Sequence, residues 1–223
     1  MYEVDVVEKL SKLPVFSLSD VNQIISNRVY AKKFLRTMVR RGRIFKIMRN
    51  KYTLHKDPFL ASSFLIKPSC ITGASALSYH KMITQMPNTV FCATPKRSMI
   101  VDFFGKIHFS HTKWFFGFSE EDYEGFKIMV ADPEKAVIDS FSKIPVSVFE
   151  EAFDSINSEN MVKHLRKIKK SSIVKRVGYL MEKSGFDVYE KLKDIINYKY
   201  VKLDPLAKTS RKKDRKWGII VNI

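Results

Sequence analysis

Asn27-Arg28-Val29-Tyr30-Ala31-Lys32-Lys33-Phe34-Leu35-Arg36-Thr37-Met38-Val39-Arg40-Arg41-Gly42 runs directly into Arg43-Ile44-Phe45-Lys46-Ile47-Met48-Arg49-Asn50-Lys51-Tyr52-Thr53-Leu54, and the apolar period changes at the junction. In the first part Ala31, Leu35 and Met38 recur at i, i+4 and i+7, which predicts a helix capped by Asn27 and ended by Gly42 in the left-handed conformation. Its outward positions are Arg28, Lys32, Lys33, Arg36 and Arg40. In the second part, apolar residues flank the pair Arg49-Asn50 as two strands flank a tight turn, with Asn tolerating the positive φ such a hairpin needs.

Working backward from this stretch, Val4, Val7, Leu10 and Leu13 fall at helical spacing and Pro14 closes the segment. Ser17, with Asp20 three places on, begins a second helix whose face carries Val21, Ile24 and Ile25. Three helices followed by a basic hairpin read as a winged helix-turn-helix over residues 1–56, the third helix fitting a major groove and the hairpin following the backbone beside it.

Charge agrees with that reading. No acidic residue stands between Asp20 and Asp57, and residues 1–56 hold 13 Lys and Arg against 4 Asp and Glu, or +9 of the chain's +17. Such placement points to a phosphate-rich partner, with a solvated Lys-rich surface as the bland alternative. The candidate DNA contacts are Arg28, Lys32, Lys33, Arg36, Arg40, Arg43, Lys46, Arg49 and Lys51. Arg28, Lys32 and Arg36 are favoured for the groove, and Lys46, Arg49 and Lys51 for phosphates.

Working forward, Asp57-Pro58 predicts a helix start and the boundary of a second domain, 57–223. Ile71 to Met82 reads as a short strand leading into a helix, after which 89–94, 100–104, 106–110 and 126–130 read as strands. Asp132-Pro133-Glu134 opens a helix, and apolar faces at 148–156, 161–170, 173–184 and 188–196 predict more, before a closing strand at 217–221. The expected class is α+β: a winged helix-turn-helix, then a larger mixed domain with a mainly antiparallel sheet and a helical carboxyl-terminal part.

A second acid-free interval, Asn160 to Met181, places Lys163, Arg166, Lys167 and Lys170 on one helix face. With Lys175 and Arg176 these residues form a candidate secondary basic surface, and a solvated amphipathic helix is the alternative. The tail cluster Lys208, Arg211, Lys212, Lys213, Arg215 and Lys216 reads as a flexible loop.

Motifs for catalysis or cofactors are not found: no Gly-rich phosphate loop, His-Glu-x-x-His, Cys-x-x-Cys or nucleophile elbow. No catalytic residue, metal or cofactor is therefore expected. His108 and His111 lack nearby ligand candidates, and Asp132 and Glu134 are explained by helix capping and the helix dipole. Cys70 and Cys92 sit in apolar runs and read as buried thiols, which suits a cytoplasmic protein. No apolar stretch is long enough to span a bilayer and the start Met1-Tyr2-Glu3-Val4-Asp5 is acidic, so neither membrane insertion nor export is expected. The aromatic run 103–118 reads as core, with stacking on single-stranded bases as the alternative.

Ser17 to Leu54, then Ile71 to His80, Pro87 to Thr94, Asp132 to Asp139, Lys175 to Glu182, Leu203-Asp204-Pro205 and Trp217 to Asn222 follow in an order that resembles AbiEi-type antitoxins of phage-defence toxin-antitoxin operons. The resemblance implies a repressor that binds inverted repeats at its own promoter, associating with itself on DNA, and that counteracts a nucleotidyltransferase-type toxin without catalysis of its own. Asn50 stands where that family usually has Gly at the wing tip, and Arg97 to Gly125 carries no part of the likeness. Two other readings of the residues remain: a nucleic-acid-modifying enzyme or nuclease to which the amino-terminal module delivers substrate, and an RNA-binding protein.

Overall fold

A computed structural model describes residues 2–208 and 212–223. In chain order the elements are helices α1 (Tyr2–Ser11), α2 (Leu18–Ile25) and α3 (Arg28–Arg40), strands β1 (Phe45–Met48) and β2 (Lys51–Thr53), α4 (Pro58–Leu65), β3 (Cys70–Ile71) and α5 (Gly73–Tyr79). Next come β4 (Thr89–Thr94), β5 (Met99–Asp102), β6 (Lys106–His111), β7 (Phe118–Tyr123), β8 (Phe126–Ala131) and α6 (Pro133–Ser140). The chain ends with α7 (Ser158–Ile168), α8 (Ser171–Lys183), β9 (Val201–Lys202), β10 (Lys213–Asp214) and β11 (Ile219–Ile220). The class is α+β. Among the described residues no helix is long and apolar enough to cross a membrane.

These elements form two compact units that interleave along the chain: Met1–Cys70 with Asn88–His111 and Glu120–Met129, and Ile71–Pro87 with Thr112–Ser119 and Val130–Ile223. The first unit thus reaches beyond residues 1–56, taking in α4 and strands β4 to β6.

Local chemistry sets the first unit's helix starts. Ser17 and Asp20 close a reciprocal capping box at α2, Asn27 Oδ1 accepts from Val29 N and Tyr30 N at α3, and Asp57 Oδ1 accepts from Phe59 N and Leu60 N ahead of Pro58 at α4. Each such cap is worth about 1 kcal/mol. Between α1, α2, α3 and the hairpin lies one apolar cluster that includes Val6, Leu10, Phe16, Val21, Phe34, Leu35, Met38 and Ile44. Phe34 joins the three inward residues expected on α3. The β1–β2 ladder is antiparallel, Phe45 opposite Thr53 and Lys46 opposite Tyr52, and Phe16 adds a bridge to Tyr52 through two 2.8 Å backbone hydrogen bonds.

Strand pairing corrects the expectation of a mainly antiparallel sheet. In the first unit β4 runs parallel to β6 along its whole length, Thr89 opposite Lys106 through Thr94 opposite His111, while β5 pairs antiparallel with the other edge of β6. The link 95–98 carries the chain past the width of one strand, and β6 then fills the slot. The pairing is therefore non-local, and alternation within each strand does not reveal it. In the second unit Ile71 lies opposite Val130, again in parallel.

The second unit begins α6 as expected, with Asp132 Oδ1 accepting from Lys135 N and Pro133 in the first turn. Glu134 does more than balance a helix dipole: it is buried and accepts from Asn157 N at 2.6 Å, ahead of α7. Two other expected helices are corrected. Residues 148–156 form tight 3-10 turns, and 188–196 turns and a short 3-10 helix at Lys193–Ile195, around Val188 and Leu192, the two residues of that stretch that are buried. The expected closing strand is present as β11, between β10 and a parallel β9. Within the tail cluster, Lys213 belongs to β10 and Lys216 pairs with Glu182, whereas Arg211 lies outside the described residues.

Trp217 locks this end of the unit. It is 1% exposed, donates through Nε1 to Glu182 Oε2 at 2.8 Å, and lays its ring directly on Gly178 of α8. A Cβ at residue 178 would overlap that ring. Gly178→Ala is accordingly expected to destabilise the protein by about 1–3 kcal/mol despite alanine's better helix propensity. The check is the denaturant unfolding midpoint, and an unchanged or higher midpoint contradicts the packing.

Candidate nucleic-acid interface

Helix α3 buries Ala31, Phe34, Leu35 and Met38 and leaves Arg28, Lys32, Lys33, Arg36 and Arg40 exposed. The hairpin places Lys46 and Arg49 on the same unit's surface, both exposed. Among the described residues, none of these seven cations forms an ion pair. Arg41 and Arg43, by contrast, both turn to Glu3 of α1, at 3.2 and 3.9 Å. Arg43 is thus partly neutralised and faces α1, away from its place in the expected contact set.

Two adjoining grooves gather six of these seven cations. One, of about 520 Å³, is lined by Lys32, Leu35, Arg36, Val39, Arg40 and Lys46, together with Leu18 and Tyr52. The other, of about 450 Å³, is lined by Leu18, Ser19, Asn22, Arg28, Arg49 and Asn50. Charge near these open surfaces is uncompensated and well placed to attract phosphate oxygens.

Two of the expected positions behave differently. Lys33 is exposed on α3 but lines neither groove. Lys51 is half-buried with Nζ 3.5 Å from the carbonyl oxygen of Phe64 at the end of α4, so its head is directed into its own unit. That second placement departs from the expected phosphate contact, because strand alternation turns the residue after the hairpin tip inward.

Asn50 has φ 57°, as a tight hairpin turn requires, and its Oδ1 also accepts from Leu18 N at 3.0 Å. The bond ties the hairpin tip to the start of α2, a role that glycine does not fill. Ser19 and Asn22 are groove residues that charge-based reading misses. They sit three apart on α2, and Asn22 Oδ1 is buried without a hydrogen-bond partner among the described residues. Their signal in sequence is only a pair of small polar residues on the outer side of a short helix.

The expected secondary basic surface divides. Lys163, Arg166, Lys167 and Lys170 are exposed on or just after α7, but Arg166 makes a two-pronged pair with Asp194 at 3.1 and 3.2 Å. Lys167 Nζ lies 4.0 Å from the centroid of Phe116, and Lys170 Nζ lies 5.6 Å from that of Trp114. Lys175 and Arg176 are corrected. Lys175 is fully buried and donates to Asn197 Oδ1 at 3.0 Å and to the Lys199 carbonyl, while Arg176 Nε donates to the Lys202 carbonyl at 2.8 Å. Both serve as struts to the segment ahead of β9 and at it. A helix face with no acid in its sequence neighbourhood does not reveal carbonyl partners some 25 residues away.

His108 packs on Phe91, and His111 Nδ1 is 3.0 Å from the Lys96 carbonyl oxygen. In the second unit Asp132 Oδ2 meets His164 Nε2 at 2.9 Å, and buried Lys135 reaches Asp139, which also accepts from Thr72 Oγ1 at 2.8 Å. Gly117, at φ +70°, leaves room there for Asp132 and His164. Compared with known proteins, the chain matches no family model and no curated protein.

Burial pushes the Lys175 ammonium below the ordinary lysine value of 10.5. The unfolded chain then holds this proton to higher pH than the folded one. The cost of burying the charge is present below the folded pKa and is relieved as pH climbs from there toward 10.5, since the neutral amine can still donate to both acceptors. The difference in unfolding free energy between wild type and Lys175→Met is expected to move in favour of wild type as pH is raised toward the ordinary lysine value of 10.5. A pH-independent difference contradicts this.

Proposed function

We propose that residues 1–56 are a winged helix-turn-helix and that the protein is a transcriptional regulator of double-stranded DNA, with α3 entering the major groove and the β1–β2 hairpin following the neighbouring backbone. The observation that carries this reading is the cationic face of α3 and the hairpin, whose Arg28, Lys32, Arg36, Arg40, Lys46 and Arg49 line two grooves without an acidic partner among the described residues. A face meant only for solvation gains nothing from leaving six converging cations unpaired, and their mutual repulsion falls when a polyanion sits between them.

The ordered likeness to AbiEi-type antitoxins extends the proposal. On that ground the protein is a cytoplasmic antitoxin that represses its own operon through promoter inverted repeats, associates with itself on DNA, and counteracts a nucleotidyltransferase-type toxin. Residues 57–223 contribute to neutralising the toxin in this reading, and no catalytic step is assigned to the chain.

One observation favours a second reading. Lys167 and Lys170 cover the half-buried rings of Phe116 and Trp114, the mixture of cation and aromatic on which single-stranded RNA stacks.

Titration of labelled duplex carrying the region upstream of the gene, between about 50 and 200 mM salt, separates these. Affinity for duplex is expected to fall steeply with salt, to be nearly lost in the Arg28→Ala/Lys32→Ala/Arg36→Ala variant, and to lose about one unit of salt slope in Lys46→Ala. Undiminished affinity in the triple variant overturns the proposal. Tighter binding to single-stranded RNA than to duplex moves it to the second reading, and metal-dependent turnover of DNA or nucleotide moves it to an enzyme.

A further inference from the structure

We infer that Val29 reads DNA sequence by packing against the 5-methyl group of a thymine in the major groove. The inference rests on the duplex-DNA reading above and names a specificity-determining residue within it.

Val29 is 80% exposed, and Tyr30 beside it is 45% exposed. At about 100° per residue, Val29 points directly away from the side of α3 that carries buried Ala31, Phe34, Leu35 and Met38. Lys33, Arg36 and Arg40, at i+4, i+7 and i+11, fall within about 40° of the same direction. Val29 is therefore the apolar beginning of a stripe that is otherwise cationic. Neither packing nor propensity accounts for it: the side chain touches no core, and a β-branched residue on a solvated helix surface is a poorer helix former than Lys, Arg or Ala.

Its position is also fixed. Asn27 Oδ1 accepts from Val29 N at 3.1 Å and from Tyr30 N at 3.0 Å, holding the first turn of α3 in place. The surrounding cations select the occupant by charge, a duplex polyanion, and the early residues of a groove-inserted helix are those that reach base edges. Among the base edges displayed there, the thymine methyl is the one apolar group, and an apolar side chain is its natural contact.

The test uses the full chain and a duplex recovered by repeated selection from a random pool. Each thymidine is replaced singly by deoxyuridine, which removes only the methyl group. Wild type is expected to lose about three- to tenfold in affinity at one or two positions. Val29→Ser, which removes both methyl groups, is expected to bind the thymidine and deoxyuridine forms equally at those positions, with the wild-type salt slope. Discrimination that persists in Val29→Ser, a wild type indifferent to every replacement, or a selected site without thymine overturns the inference and leaves salt-dependent duplex binding standing. Absence of salt-dependent duplex binding overturns both.

Discussion

Helix α3 can bury Ala31, Phe34, Leu35 and Met38 only by turning Val29, Lys32, Lys33, Arg36 and Arg40 to water. That geometric coupling organises the amino-terminal unit. The buried side is held by Val6 and Leu10 of α1, Val21 and Ile25 of α2, and Phe16 and Ile44, so shifting α3 to hide its cations would expose its share of that core. Burial of each large apolar side chain is worth about 1.5–3 kcal/mol, whereas spreading like charges across a solvated surface costs far less. Hydrophobic packing thus fixes the direction of the charge, and the charge fixes the class of ligand proposed.

The second tier of control lies in short polar ties. Asn27 sets the start of α3, Asn50 joins the hairpin tip to Leu18, and Glu3 draws Arg41 and Arg43 toward α1. Together they separate cations with partners from cations without. In the other unit the lysines and arginines are occupied differently: Lys175 and Arg176 brace the segment around β9, Arg166 pairs with Asp194, and Lys167 and Lys170 lie over aromatic rings. Net charge alone, the same sign on both units, does not distinguish exposed cations without partners from internal struts.

What the sequence revealed follows the range of the interactions. Caps and turns depend on residues two or three apart, so Ser17 with Asp20, Asn27, Asp57-Pro58 and Asp132-Pro133 were legible, as were three of the four inward residues of α3. The parallel pairing of β4 with β6 was not, because it depends on which edge the intervening hairpin strand takes. Residues 188–196 carry a helical apolar pattern, yet only Val188 and Leu192 of that stretch are buried, too little to hold a full helix. At the candidate interface the α3 cations could be placed from periodicity alone. Lys51 could not, since the Phe64 carbonyl that receives it lies in the next helix, nor Lys175, whose acceptors Asn197 and Lys199 lie far along the chain.

Under the proposed function, duplex DNA covers α3 and the hairpin tip. The most direct measurement is lysine reactivity toward an acetylating reagent, read residue by residue by mass spectrometry on the intact protein with and without saturating duplex. Protection of Lys32, Lys33 and Lys46, with Lys163 and Lys183 reacting as before, is the result the account predicts. Unchanged reactivity at Lys32, Lys33 and Lys46 with protection at Lys163, Lys167 and Lys170 would contradict it.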